Sequence, residues 1–81
     1  MTLEIKQKLR QAVIKGDVST AKSLAVEAVK ERVDLYACIT AIREGLQQAG
    51  KLHASGEYLL VDLLNSTDAM KAALSILESA L

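Results

Sequence analysis

Apolar residues recur along this chain every three to four positions, with little of the strict alternation that marks a strand, so the pattern predicts helices. Thr2 can cap a first helix running to about Lys15, with Ile5, Leu9, Ala12 and Val13 on one face. Gly16-Asp17 predicts a stop followed by a start, because glycine tolerates a left-handed helix end and aspartate accepts from free amides. A second helix is expected from about Val18 to Arg32, burying Ala21, Leu24, Ala25, Ala28 and Val29. Its alanines leave room for a close neighbour. Asp34 caps a third helix whose apolar face reads Leu35, Cys38, Ile39, Ile42, Leu46, Ala49 and then His53. Gly45 and Gly50 interrupt this helix, and since an interior glycine costs about 1 kcal/mol relative to alanine, a bend or close packing is expected there. Ser55-Gly56 ends the segment. A last helix from about Leu59 to Ala80 carries Leu60, Leu63, Leu64, Thr67, Met70, Ala73, Leu74 and Leu77 at helical spacing.

Four segments with one apolar stripe each, joined by linkers of a few residues, predict an all-α, antiparallel four-helix bundle, or five helices if the third breaks at its glycines. The 81 residues make a single domain, near the lower end of what folds around its own core, so a neighbouring domain would add stability. The 10 Lys and Arg balance the 10 Asp and Glu, and no basic cluster stands out, which argues against a nucleic-acid partner. Glu4, Lys6, Lys8 and Arg10 rule out an apolar leader among the first residues, and the apolar runs are too short to cross a membrane. With the single Cys38 set among apolar neighbours as a reduced thiol, a cytoplasmic protein is expected.

The residues for chemistry are few. One cysteine and one histidine, fifteen positions apart, do not make a zinc site. On a continuous helix Cys38 and His53 lie roughly 22 Å apart, far outside the reach of a nucleophile and its base. No glycine-rich phosphate loop follows a strand, and Asp62 and Asp68 read as solvated surface carboxylates. Enzymatic activity of the domain by itself is therefore not expected. His53 is the one polar residue on an apolar stripe. It reads either as a solvated residue at a helix end or as a ligand-facing residue at one end of the bundle. A phosphoacceptor role fits the fold class, but Leu52-His53-Ala54-Ser55-Gly56 lacks the lysine that usually follows such a histidine. Leu59-Leu60-Val61 places apolar side chains on more sides of a helix start than one stripe requires. That segment reads as a fully buried start or as an apolar patch facing a ligand or another domain.

Ala49-Gly50-Lys51-Leu52-His53-Ala54-Ser55-Gly56-Glu57-Tyr58-Leu59-Leu60, with Leu63-Leu64 and Ala69-Met70-Lys71-Ala72-Ala73-Leu74 beyond it, resembles the N-terminal helical cap of methionine-synthase-type cobalamin-binding proteins. That family includes the corrinoid proteins of methanol, methylamine and related methyltransferase systems. The Gly16-Asp17 break and the Asp34-led third helix extend the likeness over nearly the whole chain. The resemblance implies a module that shields the upper face of cobalamin during methyl transfer and is not catalytic alone. On this mapping His53 takes the place of the aromatic that rests over the upper face. Leu60 takes the apolar position at the next helix start, and Leu63 and Leu64 follow one turn later. The resemblance also implies partners: a methyltransferase, and an α/β cobalamin-binding domain outside these 81 residues that holds cobalt through an Asp-x-His-x-x-Gly loop. Three features depart from the family pattern. His53 stands for Phe or Trp, Leu59-Leu60-Val61 stands for Phe-Leu-Pro, and the stretch between Gly45 and Gly50 is shorter by about one helical turn. These departures favour the alternative, a helical protein-interaction or dimerisation module that keeps the cap architecture without the cofactor, whereas Gly56-Glu57 and Ala69-Met70-Lys71 favour the cap.

Overall fold

The computed structural model describes residues 2–81 and contains four helices: α1 (Thr2–Lys15), α2 (Val18–Lys30), α3 (Leu35–Ala54) and α4 (Leu60–Ser79). The capping role expected of Thr2 concerns a side chain outside the described part. No strand occurs among the described residues. Asp17 accepts from the Thr20 amide at 3.1 Å and Asp34 from the Ala37 amide at 3.2 Å, so both aspartates satisfy free donors at the starts of their helices, as the sequence predicts. At the start of α4 the N-cap is Leu59, which offers no side-chain acceptor; the Asp62 carboxylate instead accepts from the Leu59 amide at 2.8 Å.

Three helix ends share one device. After α1, Gly16 turns left-handed (φ 71°), and the Gly16 and Asp17 amides return to the carbonyls of Val13 and Ala12. After α3, Gly56 does the same (φ 88°), with bonds back to His53 and Leu52. After α2 the left-handed residue is Arg32 (φ 55°), with Val33 bonding back to Ala28. That turn is why α2 stops at Lys30, two residues before the expected Arg32.

Successive helices run antiparallel, so α1 and α3 point one way and α2 and α4 the other. Arg10 pairs with Glu44 at 2.8 Å, which sets α1 alongside α3 in register. Gly16 lies against Asn65 and Ser66, which brings the start of α2 to the start of α4. The broadest packing joins α1 to α3 and α2 to α4, while α2 and α3 scarcely touch. The bundle measures 38 × 18 × 17 Å, a length set by its two 20-residue helices.

The core holds Leu9, Val13, Cys38, Ile42 and Leu77, all fully buried, with Ala21, Ala25, Ala28, Ala69 and Ala73 lining the α2 and α4 faces. α3 runs unbroken through both glycines, so the bundle has four helices and not five. At Gly45 the reason is close approach: a Cβ there would stand 2.8 Å from the Arg10 carbonyl oxygen. At Gly50 nothing lies within 4 Å. The buried face of α4 differs from the expected leucine stripe. Ser66, Ala69, Ala73 and Leu77 form it, while Leu63, Thr67, Met70 and Leu74 flank it half-buried. Small residues occupy the line of closest approach to the alanines of α2, and the bulkier leucines are rotated away from it.

Candidate functional site

The end of the bundle where α1 and α3 finish and α2 and α4 begin gathers most of the residues singled out in the sequence. His53 is exposed in the last turn of α3. Its Nδ1 stands 3.1 Å from the Tyr58 carbonyl oxygen, which sets the imidazole against the linker leading into Leu59 and Leu60. Leu60 is 59% exposed and Leu64, one turn further along, 53%. Leu59 and Val61 are exposed as well, and Leu63 is half-buried toward the bundle. Thus Leu59, Leu60, Val61 and Leu64 form an uncovered apolar surface at the start of α4. His53 borders that surface through its bond to the adjoining linker.

Tyr58 fixes the linker. Its hydroxyl donates to the Ile14 carbonyl at 2.6 Å, and its amide donates to the Leu52 carbonyl at 3.0 Å. Ser66, fully buried on α4, donates to the same Ile14 carbonyl at 3.0 Å. That carbonyl belongs to the last turn of α1, where no later amide of the helix can reach it. Two side chains from different segments therefore close the end of α1 and hold the linker over it. Neither Tyr58 nor Ser66 was singled out from the sequence. The available signal was a large amphipathic side chain two residues past a helix-ending glycine, which commonly packs back onto the helix ends.

The titrating groups with clear shifts serve structure. Burial, followed by the nearby charge of Asp34, pushes the Cys38 thiol up; Lys6 acts weakly the other way. The Thr20 hydroxyl, 2.7 Å from Asp17, and the Thr20 amide hold the Asp17 carboxyl below its ordinary value. Cys38 faces the core in the first turn of α3, whereas His53 lies in its last turn, so the two are not brought together. Among the described residues no group of three or more His, Cys, Asp or Glu is placed to hold a metal ion, and no helix is long and apolar enough to cross a membrane.

The sequence pattern of the family described as B12 binding domain matches residues 5–78. A corrinoid protein of Desulfitobacterium hafniense is 34% identical over 79 residues, covering 96% of this chain and 37% of the relative. The chain thus spans little more than a third of that relative's length. No solved structure matches the chain at a significant level.

Proposed function

The chain belongs to the B12 binding domain family as a four-helix, cap-type domain, and we propose that it covers the upper face of cobalamin in a corrinoid methyltransferase system. The observation that carries this reading is the uncovered apolar surface of Leu59, Leu60, Val61 and Leu64 beside an exposed imidazole. A folded domain gains nothing by leaving four large apolar side chains in water at one helix start; covering a ligand face removes that cost.

Bound cobalamin supplies a cobalt centre able to carry a methyl group. The residues of this chain exclude water and competing ligands from that centre. Leu60 and Leu64 lie one turn apart on one helix face and offer an exposed apolar contact. Leu63, turned partly inward, ties that contact to the bundle. On this reading His53 takes the place of the family's aromatic over the upper face. An α/β domain holding the cofactor from below and a methyltransferase that displaces the cap are the partners this reading implies, and the cytoplasm is its setting.

The test is a titration of leucine-methyl-labelled protein with methylcobalamin, followed by NMR. A cap presents only one apolar face, so binding weaker than micromolar is expected, with shifts at the Leu60 and Leu64 methyls and none at Leu9 or Leu77. Unchanged Leu60 and Leu64 methyls at millimolar cofactor would favour the protein-interaction module instead.

A further inference from the structure

We propose that Tyr58 is a positioning residue for the covering surface: by donating to the Ile14 carbonyl, its hydroxyl holds the first turn of α4, and with it Leu59, Leu60 and Val61, in the geometry that covers the cofactor. The inference rests on the cap reading and adds the tie that sets the surface in place. That turn has little to hold it from within. Its N-cap, Leu59, offers no side-chain acceptor, and the bond from the Leu59 amide to the Asp62 carboxylate stays inside the segment. Leu59, Leu60 and Val61 are exposed, so burial does not fix them either. A helix start of this kind frays, and apolar side chains released from it fold back onto the nearest surface to leave water.

Tyr58 is engaged at each of its polar groups. The hydroxyl donates to the Ile14 carbonyl at 2.6 Å, the amide donates to the Leu52 carbonyl at 3.0 Å, and the carbonyl oxygen lies 3.1 Å from His53 Nδ1. Among the described residues, no hydrogen bond joins residues 59–64 to a different helix, so Tyr58 is their tie to the end of α1. From Asn65 onward α4 is seated in another way. Gly16 lies against Asn65 and Ser66, and the Ser66 hydroxyl reaches the same Ile14 carbonyl at 3.0 Å. One acceptor thus serves two purposes: Ser66 fastens the body of the helix and Tyr58 its start. Removing either donor weakens the fold to a similar degree, but only loss of the Tyr58 hydroxyl releases the leucines. A surface already held in its bound geometry loses less freedom when a ligand arrives.

Tyr58→Phe keeps the ring and removes the donor, while Ser66→Ala removes the other donor and serves as the stability-matched control. The full chain and both variants are compared at a temperature where all three keep their helical circular dichroism. Amide hydrogen exchange is one readout; titration with methylcobalamin, followed at the Leu60 and Leu64 methyls, is the other. In Tyr58→Phe the Tyr58 and Leu59 amides are expected to exchange roughly tenfold faster, and methylcobalamin to bind about threefold more weakly. Ser66→Ala is expected to move either readout by less than about twofold. Equal changes in the two variants, unchanged exchange in Tyr58→Phe, or an affinity equal to that of the unaltered chain overturns the proposal, and Tyr58 then serves stability alone. If none of the three proteins responds to methylcobalamin, the cap reading falls. Faster exchange confined to Tyr58→Phe then still upholds Tyr58 as the tie of the first turn of α4, and its absence overturns that too.

Discussion

Arg32 holds a left-handed backbone (φ 55°) with a Cβ that glycine would not carry at that helix end. The conformation costs a non-glycine residue roughly 1 kcal/mol or more. Arg32 is exposed, so little packing is lost on replacing it. Arg32→Gly is therefore expected to raise stability by about 0.5–1 kcal/mol in denaturant melts, after the added freedom of glycine in the unfolded chain is counted. Cys38 behaves oppositely to an exposed reactive thiol. Because burial and Asp34 raise its pKa in the folded state, its contribution is full below the thiol's ordinary range and is lost as the pH climbs through the raised value. Native protein should react with a thiol reagent only as fast as it opens, and denaturant should make the reaction immediate. Rapid labelling of native protein would contradict full burial.

At the scale of the element, α3 contains two glycines with opposite meanings. Gly50→Ala meets open space and should gain about 0.8–1 kcal/mol from helix propensity. Gly45→Ala drives a Cβ into the Arg10 carbonyl and the Val13 side chain and should cost about 1–3 kcal/mol. Equal effects of the two in thermal melts would show that α1 does not lie as close to α3 as described. On α4, Leu77→Ala empties a fully buried site and is expected to cost about 2–5 kcal/mol. Leu60→Ala removes an exposed side chain and should change stability by less than about 0.5 kcal/mol. These elements also show what the sequence makes legible. Asp17, Asp34, Gly16 and Gly56 mark helix ends because their chemistry is specific to those positions, and the four segments follow from them. The end of α2 was misplaced because an arginine does what glycine usually does. On α4 the expected stripe contains the buried Ala73 and Leu77, but its leucines outnumber the positions of one face, and Ser66 and Ala69 complete the buried line. The surplus apolar character at Leu59-Leu60-Val61 was legible, and its exposure accounts for it. The Tyr58–Ile14 bond joins residues 44 apart, a pairing that no local pattern reveals.

Across the whole molecule, the Ile14 carbonyl joins the end of α1 to the Tyr58 linker and to α4. Tyr58→Phe or Ser66→Ala alone leaves that oxygen one donor and should cost about 0.5–1.5 kcal/mol. The double variant strands the oxygen and should cost more than the two losses added, which a double-mutant cycle in denaturant measures. Strict additivity would mean that water replaces both donors at no cost. The lateral pairing of α1 with α3 and of α2 with α4 also governs how the chain finds its fold. Arg10 meets Glu44 across 34 positions, so the strongest neighbour of the first helix is not the one made next. The first two helices are therefore expected not to complete a stable hairpin before the third arrives, since closing that longer loop comes before the contacts that reward it. Peptides 1–32 and 33–81 are each expected to remain largely unfolded in isolation. Mixed in equal amounts, they should recover helical circular dichroism in a concentration-dependent, bimolecular reaction.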